Sequence, residues 1–336
     1  MILIVKYAGI GDIIMTLPSY YYLTEQHGSE NVFWCCDSSL VNFLKIFVPE
    51  RNIISHNFKK LHGRLHEKIL LILSINFLIL KSKWKKIYFF HADFRYKIMY
   101  LFAQQKVEDY SIKFAQRQNF IHGRYSGINF FSMVSGIDGP ELKSFDDYFL
   151  KAKLVISKLT NSNTYKSIDQ FIPKQPYVVI CPSLSGNIGD QSAALRRLPI
   201  SQWQEIISSA LVKDYQVIAV GSKDETEIID FKLKNLTNLC GKTSFEDLFR
   251  LINSAKYVVA TDNGIMHCAY LTNTETFAIF GPTPVTERIP PNCNVKSYKK
   301  VGLNCAPCFD GRLTFTCHNQ ECLKSIDISM ITKDIK

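Results

Sequence analysis

The chain has 336 residues, of which 46% are hydrophobic and 21% charged. This length suits about two ordinary domains, and the composition excludes disordered, collagen-like and low-complexity chains. Forty Lys and Arg against 30 Asp and Glu leave a formal charge of +10, a balance that attracts anionic partners.

The continuous apolar run Ile2-Leu3-Ile4-Val5 predicts a parallel strand buried on both faces. The chain start lacks a basic region and a small-residue cleavage site, so no export signal is read and a cytoplasmic location is expected. Next comes the turn Gly9-Ile10-Gly11-Asp12, which sets Asp12 at the start of an apolar helix containing Pro18. A carboxylate there is either a helix cap or a general base acting on a hydroxyl. A second strand is expected over 32–36, then a helix over 69–82 and a strand over 87–90.

Residues 59–97 hold ten Lys and Arg but only Glu67 and Asp93 as acids. Their apolar stretch, 69–80, is shorter than the ~20 residues that span a bilayer. With Lys81, Lys83, Lys85 and Lys86 behind it, it suits an anionic membrane surface; a core helix followed by a basic turn is the other reading. Residues 154–176 lose the alternation of elements and read as an interdomain connection.

In the second half, strands are expected over 177–181, 216–221, 257–261 and 276–280. Helices are expected over 199–212, with Pro199 in the first turn, over 224–235 and over 245–255. A short helix closes the chain at 326–335. The alternation predicts two open α/β sheets, whose ligands bind beyond the carboxyl ends of the strands. The sequence contains no GxxxxGK[ST], GxSxG or HExxH, no GxGxxG after either opening strand, and no Asp-x-Asp. Those absences speak against kinase, esterase, zincin and dehydrogenase chemistry, and against a divalent ion held on a nucleotide diphosphate.

Three constellations remain. Asp262-Asn263-Gly264-Ile265-Met266-His267 follows the 257–261 strand directly. An acid, a glycine and a histidine at a strand-to-helix turn suit a polyol and phosphate pocket with helix N–H groups aimed at an anion, although Asp-Asn-Gly is also an ordinary turn. Arg196 and Arg197 precede Pro199 at another helix start, where guanidinium groups hold diphosphate oxygens; two surface arginines are the plainer reading. Cys305, Cys308, Cys317 and Cys322 have the spacing of a tetrathiolate zinc or iron site, structural because four thiolates leave no open position. Reduced thiols or a redox pair are the alternatives. Cys35, Cys36, Cys181, Cys240 and Cys268 read as buried packing residues.

Taken in order, these motifs resemble the family 9 glycosyltransferases, heptosyltransferase-like enzymes of the two-domain GT-B fold. The resemblance runs from Gly11-Asp12-Ile13-Ile14-Met15-Thr16-Leu17-Pro18 through Arg196-Arg197-Leu198-Pro199 and Leu239-Cys240-Gly241-Lys242-Thr243-Ser244. It continues through Asp262 to His267, Phe280-Gly281-Pro282-Thr283 and the cysteine-rich tail. It implies an α/β GT-B architecture of two Rossmann-like domains facing across a cleft: an acceptor-side domain over 1–160 and a linker over 161–176. A nucleotide-sugar domain over 177–325, with the cysteine cluster, and a C-terminal helix over 326–336 would complete it.

The implied reaction is inverting and needs no catalytic metal. A sugar, often heptose from ADP-heptose, moves to a lipopolysaccharide core or related surface glycan, with Asp12 as general base. Arg196 matches a donor-phosphate position, and Arg197 stands beside it. Glu225 resembles the acid on the nucleotide ribose, and Gly241, Thr243 and Ser244 the loop around the base. Asp262, Asn263, Gly264 and His267 match the donor-sugar and phosphate turn. The implied partners are a nucleotide-sugar donor and an acidic glycan, glycolipid or protein acceptor, with peripheral contact to the anionic inner membrane leaflet and no nucleic acid. A protein O-heptosyltransferase acting on an autotransporter-type protein, and an inactive nucleotide-sugar-binding scaffold, are the alternatives. The chain departs from the family in reading Arg-Arg-Leu-Pro where Lys-Arg-Trp-Pro is usual, and in placing Asn263 where Ser or Thr is frequent.

Overall fold

In the computed structural model, the apolar runs that open each half of the chain become central strands of two parallel sheets. The structure describes residues 1–7, 9–81, 83–91, 94–101, 106–110, 123–137, 143–162, 168–182, 195–222, 235–308, 317 and 319–336. The chain divides into two compact units, Met1–Val155 and Ile156–Lys336.

The first unit carries β1 (Ile2–Val5), β2 (Val32–Asp37), β3 (Ile53–His56), β4 (Lys86–Phe89) and β5 (Val107–Asp109) in the order β3-β2-β1-β4-β5. All four β1 residues are buried, as a strand paired on both edges and covered on both faces requires. Its helices are α1 (Ile10–His27), α2 (Val41–Leu44), α3 (Leu65–Lys81), α4 (Ser126–Ser135) and α5 (Lys143–Asn161). Helix α1 starts behind Gly9, whose φ of 80° suits a residue without Cβ. Against it lies α4, so close at Gly127 that a Cβ there would stand 2.9 Å from the Met15 carbonyl oxygen. The core beneath α3 gathers Leu3, Val5, Leu71, Ile75, Ile79, Ile87 and Phe89.

The second unit has β6 (Tyr177–Cys181), β7 (Gln216–Ala219), β8 (Leu236–Asn238), β9 (Tyr257–Thr261), β10 (Glu275–Phe280) and β11 (Val295–Lys299). They stand in the order β11-β10-β9-β6-β7-β8. Its helices are α6 (Ile200–Val212), α7 (Phe245–Ser254), α8 (Gly264–Ala269), α9 (Val285–Arg288), α10 (Glu321–Lys324) and α11 (Ser329–Asp334). Helix α6 buries Trp203, Ile206 and Ile207 against β6 and β7, joined by Leu323 and Ile331 from the tail. Each such side chain contributes roughly 1.5–3 kcal/mol.

Several sequence expectations change. Residues 154–161 continue α5, because its apolar positions recur at helical spacing among the polar ones; the boundary between the two units falls inside this helix. Pro199 is the N-cap of α6 in extended conformation, with φ −53° and ψ 144°, rather than its first turn. The helix expected over 224–235 lies almost wholly outside the described residues, and Asn235 is a turn residue with φ 70°. The five cysteines read as packing residues are all buried. Among the described residues no helix is long and apolar enough to cross a membrane.

Candidate active site

Each sheet reverses its strand order once, between β1 and β4 in the first unit and between β6 and β9 in the second. The carboxyl ends of strands at such a reversal form a crevice where open α/β sheets bind ligands. Both constellations that carry Asp12 and Asp262 stand at these points.

In the first unit, Lys6 follows β1 directly and is buried. Its Nζ donates to the Phe90 carbonyl at 2.7 Å, lies 3.3 Å from Asp12 Oδ1 and stands 4.9 Å from the centre of the Phe130 ring. A buried ammonium needs such partners. Asp12 is third in α1, in its first turn behind the N-cap Gly9. The half-exposed carboxylate is held by Lys6 and open to solvent on its other side, the arrangement a base on an incoming hydroxyl requires. Beside it Tyr7 stacks between Phe58 and His91, with ring centres at 4.1 and 3.8 Å. Burial and the Lys6 charge push the His91 imidazole well below its ordinary value, so it stands neutral and accepts from the Tyr7 N–H at 3.3 Å.

In the second unit, Asp262 is buried at the end of β9. Arg196 Nη1 lies 3.7 Å from its Oδ2 and donates to its backbone carbonyl at 3.2 Å. Arg288 Nε stands 3.9 Å from Oδ2, and His267 Nε2 3.7 Å from Oδ1. Burial opposes ionisation of Asp262, but the His267 ring and the Arg288 and Arg196 charges outweigh it and hold the carboxyl below the usual carboxylate range. Its Oδ2 is buried with no hydrogen-bond partner among the described residues. His267 Nδ1 pairs with the Tyr270 hydroxyl.

Asn263 is the N-cap of α8. Its Oδ1 accepts from Ile265 N–H at 2.9 Å and Met266 N–H at 3.2 Å, while its Nδ2 donates to Thr261 Oγ1 at 3.3 Å. The Ile265 and Met266 N–H groups at this turn are thus held by the cap, and Gly264 opens the helix behind it. Ser244 likewise caps α7 in a reciprocal box with Asp247, its Oγ accepting at 3.1 Å and its N–H donating at 3.2 Å. Gly241, at φ 70°, donates to the Gly221 carbonyl, and with Thr243 forms a loop after β8. That loop lies three strand spacings, about 14 Å, from β9 along the sheet.

Arg197 is exposed with no ion pair among the described residues, so the structure brings Arg196 to the cluster and not its neighbour. Glu225 lies outside the described residues. Cys305 and Cys308 are exposed, Cys317 half-buried and Cys322 buried. Burial, with Cys317 and Cys305 nearby, pushes the Cys308 thiol up; Cys322 rises by burial and the other three thiols. Among the described residues no group of three or more His, Cys, Asp or Glu side chains stands where it could hold a metal ion.

Sequence reasoning missed Lys6 and Arg288. A lysine closing a run of four buried strand residues was the signal for the first. For the second it was an arginine one helical turn beyond Pro284 in the loop after β10.

Residues 143–318, just over half of the chain, match glycosyltransferase family 9 (heptosyltransferase). The lipooligosaccharide heptosyltransferase 2 of Haemophilus influenzae is 26% identical over 152 residues, 42% of this chain and 42% of that protein. The chain thus matches less than half the length of this curated relative. The structure of the Escherichia coli ADP-heptose lipopolysaccharide heptosyltransferase II superposes with a TM-score of 0.59 at 15% identity, covering 99% of this chain and 97% of that one. A family 9 glycosyltransferase of Veillonella parvula gives a TM-score of 0.65 at 13% identity, over 99% and 95%. At such identities the likeness is one of fold, the two-sheet GT-B architecture. The family match and the fold together place the chain: it belongs to glycosyltransferase family 9, the heptosyltransferase family.

Proposed function

We propose that the protein is an inverting, metal-independent glycosyltransferase carrying heptose from ADP-heptose to a hydroxyl of a lipopolysaccharide core or another surface glycan at the cytoplasmic face of the membrane. The observation that carries this reading is the Asp262 cluster. Two guanidinium groups against one buried carboxylate leave positive charge where a departing diphosphate needs it, and arginine is never neutral. Asp262, with one oxygen unpartnered among the described residues, accepts from hydroxyls of the donor. The loop of Gly241 and Thr243 takes the base end of the nucleotide, and Glu225 its ribose.

Asp12 removes the proton from the acceptor hydroxyl. The acceptor oxygen then bonds to the anomeric carbon from the side opposite the diphosphate. The bond from that carbon to the phosphate oxygen breaks, its electron pair leaves with the diphosphate, and the configuration inverts. Arg196 and Arg288 supply the counter-charge at the leaving group.

Calorimetry against ADP-, GDP-, UDP- and dTDP-sugars without divalent ion tests the donor half. Binding of ADP-heptose, lost in Asp262→Ala, is expected; binding of none of them would favour an inactive scaffold. Asp12→Asn is expected to bind donor and transfer nothing, and full turnover would overturn the base assignment. Transfer to a protein hydroxyl and not to a glycan would redirect the acceptor assignment to a protein.

The four thiols suit a structural zinc or iron ion in their chemistry and spacing, as a tetrathiolate set does. Metal analysis of the purified protein, beside a Cys308→Ser and Cys317→Ser variant, tests this. One equivalent lost in the variant supports it, and no bound metal in the parent overturns it.

A further inference from the structure

Helix α3 is apolar on two sides. Leu71, Ile75 and Ile79 are buried in the core, whereas Leu65, Ile69, Leu70, Leu73, Phe77 and Leu80 are between 46% and 73% exposed. At 3.6 residues per turn these six exposed side chains fall within one arc of about 140°. Ile98, also exposed, lies beside α3, its carbonyl accepting from Asn76 at 3.0 Å. Soluble proteins rarely leave so much contiguous apolar surface in water without a use for it.

Cations frame the stripe. Lys60 and Arg64 are exposed before the helix, and Lys81, Lys83 and Lys85 are exposed at its end. The Nζ of Lys81 stands 5.3 Å from the centre of the Phe77 ring. The single acid in the helix, Glu67, accepts from the Arg64 N–H at 2.8 Å, and these five exposed cations outnumber it. We propose that α3 lies flat on an anionic phospholipid surface, its six apolar side chains among the acyl chains and its lysines and arginine at the headgroups. At 17 residues the helix is about 25 Å long and fits in the plane of the interface. A second copy of the chain is the poorer partner, because pairing two stripes would bring two basic rims together. The inference rests on the membrane-face reading above and deepens it by naming the element that meets the lipid; it does not depend on the donor assignment.

Flotation with vesicles of phosphatidylcholine mixed with phosphatidylglycerol, against pure phosphatidylcholine, tests it on the full chain. The partition coefficient should be at least about tenfold higher on the mixed vesicles and fall steeply in high salt. The double variant Leu73→Ser with Phe77→Ser should lose about tenfold or more, with an unchanged thermal midpoint because both residues are exposed. Lys81→Gln with Lys85→Gln should weaken binding to the mixed vesicles alone. Equal partition onto neutral vesicles, or binding untouched by the double variant, would overturn the proposal. So would a dimer that the double variant dissociates while neither protein floats. ADP-heptose affinity of the Leu73→Ser, Phe77→Ser protein should equal that of the parent, so failure on vesicles and failure of the donor reading are separable.

Discussion

Lys6 and Asp12 form a pair in which each residue explains the other. The ammonium is buried, tied to the Phe90 carbonyl and 3.3 Å from the carboxylate, so it fixes where a flexible Asp side chain points. A base displaced by an ångström costs about a hundredfold in rate. Lys6→Met keeps the volume and removes both contacts; transfer should fall by about that factor while affinity for the proposed donor, assigned above to the second unit, stays unchanged. Steady-state rates and calorimetry on the same preparation check this, and an equal loss in both would mean that Lys6 serves folding alone. Asp12 was legible in the sequence because a glycine turn and a helix surround it. Its partner was not, because a lysine after an apolar strand reads as a strand end until the fold carries it under α1.

At the scale of elements, two of the residues expected to meet the donor, Asn263 and Ser244, also cap helices. Ser244 closes a capping box on α7, and removing such a hydroxyl costs about 1 kcal/mol. Ser244→Ala should therefore lower the thermal midpoint by a few degrees and leave donor affinity intact; a loss of affinity at unchanged stability would return the hydroxyl to the donor. The strands show what sequence pattern does and does not carry. Those foreseen, such as β1, β6 and β9, are wholly buried and read as unbroken apolar runs. The four not foreseen, β3, β5, β8 and β11, are the four sheet edges. They are half-exposed and polar, and their pairing comes from the neighbouring strand rather than from a pattern of their own.

For the whole molecule, the two units carry their acid sensitivity in different windows. His91 and His56 in the first are held below their ordinary value by burial. The unfolded chain binds protons there near pH 6.5 and the folded chain resists, so stability of that unit falls as pH drops below about 6.5. Asp262 in the second is held below the carboxylate range. Its contribution is complete above about pH 4, where an unfolded Asp is already ionised, and is lost only as pH falls further. Hydrogen exchange followed by mass spectrometry in steps from neutral pH should show the first unit losing protection while the second keeps it to about pH 4. Loss of both together near pH 4 would contradict this. Asp262→Asn should lower the stability of the second unit at neutral pH and flatten its acid limb.

Asn263, which the resemblance sets where Ser or Thr is frequent, holds the N–H groups of Ile265 and Met266 in α8 with its side-chain oxygen. Ser, Thr and Asn all fill that task. An exchange among the three therefore reports how a turn is closed. When donor preference is compared across chains of this kind, the identity of this residue should be set aside as a specificity marker, and the arginines that reach Asp262 from other elements weighed in its place.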